Sequence, residues 1–180
     1  MPKPTHIALV ILATLLLAAC QGIDLDEANP INVDLSGDWR LEGALSDPTP
    51  DFKSGLKGQR RKRNPTMRDD ISGALGSALA FIVHDFQVLS AERVEIEQSH
   101  DSLGIRYDPG VYRDVSWGER QRGLWEVYAG WDEAVMVIIS KAEGMRVEER
   151  FRLNRGQLIV DIIITADGEE RTVTRVFTRA

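Results

Sequence analysis

From Val33 onward, apolar and polar side chains trade places one for one. Val33, Leu35, Gly37, Trp39 and Leu41 alternate with Asp34, Ser36, Asp38, Arg40 and Glu42. That is the two-residue period of a strand with one face on a core and the other in water. The pattern returns after residue 92, where Val94 and Ile96 alternate with Arg93, Glu95 and Glu97. A polar turn over Ser99–Ser102 then leads to Leu103, Ile105 and Tyr107. Asp108-Pro109-Gly110 is a turn, because Pro fixes one torsion and Gly permits another. Further strands are predicted at 111–116, 123–130, 134–140, 145–153, 157–165 and 171–178. The links Lys141–Gly144, Asn154–Gly156 and Ala166–Glu169 are short and carry Gly, and links that short join antiparallel neighbours. The expectation is a mainly β chain, an antiparallel up-and-down barrel or strongly bent sheet of about nine strands.

One segment follows a different rhythm. Ile71, Leu75, Ala78, Leu79, Ile82 and Phe86 recur at helical spacing, Asn64-Pro65 or Thr66 can cap the start, and Asp69 and Asp70 suit the positive end of a helix dipole. The spacing predicts a helix over 66–85, inserted after the first strand. Residues 43–65 before it read as a mobile basic loop.

The chain opens with a short basic head at Lys3 and an apolar run from Ile7 to Ala19 broken by Thr14. The run is too short for an ordinary membrane span and has the form of an export signal over residues 1–19. It ends Leu17-Ala18-Ala19-Cys20, and Cys20 is the one Cys of the chain. This ending resembles the lipobox of bacterial lipoproteins. The resemblance implies cleavage between Ala19 and Cys20, diacylglyceride and a further acyl chain such as palmitate on Cys20, and anchoring without a protein span. In that family an Asp after the Cys commonly retains the protein at the inner membrane. Gln21 stands here, so the resemblance implies the periplasmic face of the outer membrane. Residues 20–32 then form the lipidated Cys and a flexible tether, and 33–180 a single barrel domain.

Charge narrows the partners. The chain from Cys20 carries 21 Lys and Arg against 28 Asp and Glu, net −7, the wrong sign for a duplex nucleic-acid binder. One Cys excludes an internal disulfide, a Cys-based zinc site and an iron–sulfur cluster. No metal site and no cofactor are read from the sequence. His84 and His100 each precede an Asp, yet no nucleophile elbow, zinc-protease motif or phosphate-cradling loop accompanies them. The expectation is a protein that is not an enzyme.

Four sets of residues carry candidate function. Gly37-Asp38-Trp39 resembles the Gly-x-Trp signature of lipocalins and related calycin barrels, where the Trp closes one end of the barrel against an Arg of the last strand. The resemblance implies Gly37, Trp39 and Arg175 as that closure. Glu149 falls in the apolar row Met145, Val147, Phe151, Leu153. A carboxylate there must pair or protonate, and Arg175 is the expected partner, the pair serving either as an interior handle for a ligand or as a structural tie. Tyr107, Tyr112, Trp117, Trp125, Tyr128 and Trp131 gather within 25 positions. They read either as an aromatic surface or as core and edge packing. Lys53, Lys57, Arg60, Arg61, Lys62, Arg63 and Arg68 form a run without an acid, suited to anionic headgroups or to plain solvation. The leading expectation is a lipocalin-like barrel binding a lipid or other small apolar molecule. The alternatives are an envelope-assembly or protein-interaction module with a filled barrel, or a periplasmic hydrolase inhibitor.

Overall fold

The computed structural model describes residues 24–50, 78–108, 110–166 and 168–180 of the chain. The alternating segments become ten strands: β1 (Gly37–Leu41), β2 (Arg93–Gln98), β3 (Ser102–Asp108), β4 (Val111–Ser116), β5 (Gly118–Arg122), β6 (Trp125–Asp132), β7 (Val135–Ala142), β8 (Met145–Asn154), β9 (Gln157–Ala166) and β10 (Glu169–Arg179). Every pairing is antiparallel, in the order β4-β3-β2-β1-β10-β9-β8-β7-β6-β5. First and last strands pair in the middle of this order. Its two ends, β4 and β5, are consecutive in the chain but not hydrogen-bonded, and β4 approaches β6 across the seam. The result is a nearly closed barrel of the expected class.

The tenth strand, beyond the nine expected, is β5. Its sequence Gly-Glu-Arg-Gln-Arg has no apolar side chain, so no alternation marks it. Its place at the seam explains how a polar strand is tolerated. The first strand is shorter than its alternation predicts. Opposite residues 33–35, the Gln98 side chain stands in for a strand backbone, its Oε1 accepting from Leu35 N (2.9 Å) and its Nε2 donating to Val33 O (3.0 Å).

The inward rows of the strands other than β5 supply the core, with Trp39, Phe151, Phe177 and Met136 fully buried. The outer face of β7 is also covered. Val137 and Ile139 lie buried there beside an ion-pair ladder in which Arg150 bridges Glu148 and Asp132, and Arg146 takes the other Glu148 oxygen.

Trp125 and Trp131 mark the two ends of the barrel. The helix α1, whose described residues are 78–85, lies at the Trp125 end. Leu79, Ile82 and the following Phe86 turn one apolar face inward, as their spacing predicts. Phe81 stacks on Trp125 at 6.0 Å, Phe86 meets its edge at 5.0 Å, and Asp85 Oδ2 accepts the Trp125 indole N–H at 2.7 Å. Leu79 of α1 borders a gap of about 10 Å³ together with Ile164, Ala166, Glu169 and Arg171 at the ends of β9 and β10, which sets α1 against the mouth of the barrel.

The N-terminal segment closes the Trp131 end. Asp26 and Trp131 exchange both backbone hydrogen bonds (2.8 Å each), Asn29 Oδ1 accepts the Trp131 indole N–H, and Asn29 Nδ2 donates to Ser99 O. The expected flexible tether over 20–32 is therefore docked from this point on, because these residues extend the edge of β6 where β5 leaves it. At Gly130 an added Cβ would sit 2.7 Å from Asp26 O, so only glycine admits this approach. The expected export signal over 1–19, Ala19, Cys20, residues 51–65 of the expected loop, residues 66–77 of the expected helix and all seven basic candidates (Lys53, Lys57, Arg60, Arg61, Lys62, Arg63, Arg68) lie outside the described residues.

Candidate functional site

The barrel interior holds two charges that meet across it. Glu149 faces inward on β8 between Ile138 of β7 and Ile162 of β9, and Arg113 faces inward on β4 opposite Ile105 of β3. Neither has an opposite charge beside it in these pairings. The guanidinium crosses the lumen instead, Nη1 donating to Glu149 Oε2 at 2.6 Å with both side chains buried. The partner expected for Glu149 was Arg175. Strand parity places Arg175 on the inner face correctly, but barrel closure brings β4, not β10, opposite Glu149.

The pair leaves hydrogen-bonding capacity unused. Among the described residues Arg113 Nη2, Glu149 Oε1 and the buried hydroxyl of Tyr107, two positions along the inner row of β3 from Ile105, have no partner at hydrogen-bond distance and angle, although Arg113 lies near enough to the Tyr107 hydroxyl for each to act on the other's titration. Burial opposes the charge on Arg113, and Glu149 and Tyr107 together outweigh it, holding the guanidinium above its ordinary range. Burial pushes the Tyr107 hydroxyl well up, the Glu149 charge adds to this, and Arg113 offsets part of it. Tyr107 is thus a neutral phenol at any working pH. The Phe86 ring, 5.7 Å from Arg113 Cζ, bounds the cluster toward α1. An ion pair, a phenol and aromatic carbon in an apolar barrel can orient the polar end of a mostly apolar molecule.

Arg175 does something else. Its Nη1 donates to Asp47 O (2.9 Å) and its Nη2 to Ala91 O (3.2 Å). Those carbonyls flank the insertion that carries α1, one on the way out from β1 and one on the way back to β2. Burial lowers the pKa of this guanidinium, while Asp47 and Glu92 oppose the shift. Arg175 is a staple for the insertion.

The closure suggested by Gly37-Asp38-Trp39 involves Arg179 rather than Arg175. Trp39 and Arg179 are register partners on β1 and β10, the guanidinium lies 4.6 Å over the indole, and the Trp39 indole N–H donates to Leu35 O at 3.0 Å. Gly37 adopts φ +144 beneath Arg179 Nη1, 2.5 Å from where a Cβ would stand. Arg175 and Arg179 share the inward row of β10, so parity alone does not choose between them, and the register of β10 against β1 sets Arg179 beside Trp39.

The six aromatic candidates do not share a surface. Tyr107, Trp117, Trp125 and Trp131 are buried, with Trp117 edge-on to Trp131 at 5.8 Å. Tyr112 is exposed beneath Arg106, and Tyr128 lies on the outer wall under Lys141, its hydroxyl donating to Glu126. That bond pushes the Tyr128 pKa up to about 12. Of His84 and His100, the latter lends its carbonyl to the Trp117 indole. Among the described residues no group of His, Cys, Asp and Glu is arranged to hold a metal ion.

No protein-family model matches the chain, and no curated protein matches it by sequence. Solved structures do match in shape. A luciferase domain from the dinoflagellate Lingulodinium polyedrum superposes with TM-score 0.51 at 14% identity, over 88% of this chain and 46% of that one. Looser likenesses are human cRBP IV (TM-score 0.48, 19% identity, 82% and 99% covered) and a secretory abundant heat soluble protein of Ramazzottius varieornatus (0.49, 11%, 85% and 100%). At these identities the first match speaks for the barrel fold alone.

Proposed function

We propose that this barrel takes a lipid or other small apolar molecule into its interior, without transforming it. The observation that carries the reading is the buried Arg113–Glu149 pair with Tyr107 beside it, polar groups with bonding capacity to spare in a mostly apolar core whose other buried polar side chains are Ser140 and Arg175. Buried polar groups are normally satisfied, and a bound molecule's polar end is a natural partner for these three. The helix seated on the mouth, held by Arg175, is the element that must move to admit it.

The same proposal places the protein at the periplasmic face of the outer membrane, held by lipid on Cys20. The lipobox ending and Gln21 support this, and the docked N-terminal segment refines it. Cys20 precedes the first described residue, Asp24, by four positions, a reach of about 14 Å at most. The Trp131 end would then lie close to the bilayer with the α1 end directed away from it.

Saturable uptake of the neutral dye Nile red by the Cys20→Ala protein tests the reading. We expect one dye per barrel, with emission changes in the buried Trp125, whose ring touches α1 and Phe86. Uptake that never saturates, or that leaves the tryptophan emission unchanged, would contradict it.

The open seam supports a second reading, a protein-interaction module of the envelope. The outer edges of β4 and β5 are unpaired with each other, and Val111 and Tyr112 on β4 are exposed. Crosslinking from Tyr112 in cells distinguishes the two, since a discrete protein adduct favours the module.

A further inference from the structure

We infer that the molecule this barrel selects is an electrically neutral single-chain amphiphile whose head both donates and accepts hydrogen bonds, a hydroxyl or a primary amide, and not a carboxylate. This rests on the proposed interior binding and names the ligand class of that site.

Charge and leftover hydrogen-bonding valence select the head. Inside the barrel the positive charge of Arg113 is already matched by Glu149 at 2.6 Å, and both are buried. An anionic head would add a second buried negative charge beside the carboxylate, and only desolvated repulsion awaits it there. An ammonium head would add a second positive charge beside the guanidinium. A wholly apolar molecule would leave Arg113 Nη2, Glu149 Oε1 and Tyr107 Oη as unsatisfied as they stand. What remains is a head able to donate to Glu149 Oε1 while accepting from Arg113 Nη2 or from the Tyr107 hydroxyl. One hydroxyl does both, and so does one primary amide.

The two other buried guanidinium donors stand elsewhere in the fold. Arg175 gives both Nη groups to the Asp47 and Ala91 carbonyls at the α1 insertion and keeps only Nε without a partner, and Arg120 gives Nη1 to Ser116 Oγ at 3.0 Å on the seam, its Nε likewise without a partner. Toward α1 the cluster meets the Phe86 ring, and the positions around Glu149 are Val147, Phe151, Ile138 and Ile162. Those suit an alkyl chain continuing from the head.

Competition against Nile red on the full-length Cys20→Ala protein tests the inference, with hexadecanol, hexadecanamide, 1-monopalmitoylglycerol and hexadecanoate in mildly alkaline buffer. The three neutral competitors are expected to displace the dye at concentrations at least about tenfold below hexadecanoate. In Glu149→Gln the guanidinium loses its counter-ion, and hexadecanoate is expected to gain about tenfold or more. Because that variant leaves a buried charge and can fail to fold, the double variant Arg113→Met/Glu149→Leu is measured beside it. It should keep dye uptake while the heads become equivalent within about threefold. Equal competition by hexadecanoate and hexadecanol on the parent protein would overturn the inference and leave interior binding standing. The parent order persisting in the double variant would overturn it too. Failure of Nile red itself to bind would instead remove the underlying reading.

Discussion

Arg113 Nη1 and Glu149 Oε2 lie 2.6 Å apart although their strands, β4 and β8, do not pair. The contact ties opposite walls of the barrel through its lumen. Each charge has crossed apolar neighbours to reach the other, so each is the other's one opposite charge among the described residues. Removing one partner is therefore worse than removing both. Arg113→Met or Glu149→Leu alone should lower unfolding free energy by about 3–5 kcal/mol, and the double variant should recover most of the loss. Urea unfolding of the four proteins as a double-mutant cycle checks this. Additive losses would show that the pair is not coupled.

The N-terminal segment is held by a space that only glycine leaves open. Gly130→Ala would set a methyl 2.7 Å from the Asp26 carbonyl and 2.8 Å from Leu25 Cβ, and backbone cannot step aside as a side-chain tip can. The substitution should detach residues 24–29 from β6 at a cost of about 1–3 kcal/mol, with faster amide exchange at Asp26 and Trp131. Exchange confined to its parent rate at both would refute the docking.

Arg175 holds both ends of the insertion that carries α1. Arg175→Met should free the Asp47 and Ala91 carbonyls, cost about 2–3 kcal/mol and speed proteolysis within 46–92. Arg175→Lys should not restore the parent rate, since one ammonium cannot reproduce the planar fork that reaches two separate carbonyls.

The outer ladder on β8 predicts a pH dependence. Burial of Glu148 disfavours its charge, but hydrogen bonds from Arg146 (2.6 Å) and Arg150 (3.0 Å) outweigh that and hold its carboxyl below the ordinary range. A folded pKa depressed below the unfolded value of about 4.3 gives stability that is present above that pH. The contribution is lost as pH falls through the folded value. Thermal melts should show Glu148→Gln costing stability at neutral pH and converging with the parent protein in acid. Curves that stay parallel down the titration would contradict the linkage.

How much of this the chain announces follows from what each feature depends on. Strands with one apolar face, such as Met145–Asn154, are legible because parity is local. The helical rhythm of Leu79, Ile82 and Phe86 is legible for the same reason. Strand β5 is silent because neither of its faces is apolar. Glu149 stands out by parity, and Arg113 shares the parity of Val111 and Val115, but their meeting depends on how the sheet closes, which no neighbouring residue encodes. The swap of Arg179 for Arg175 at Trp39 is likewise a matter of register. The docking of Asp26 and Asn29 has only Gly130 as a signal, and a glycine inside a strand names a close approach without naming its partner.

Interior binding is decided most directly by where a bound head group sits. Isotope-filtered nuclear Overhauser spectra of the Cys20→Ala protein with carbon-13-labelled hexadecanol would report it. The account predicts contacts from the carbinol methylene to Tyr107, Phe86 and Phe151. Contacts confined to exposed side chains such as Tyr112, Leu124 or Leu153 would contradict it.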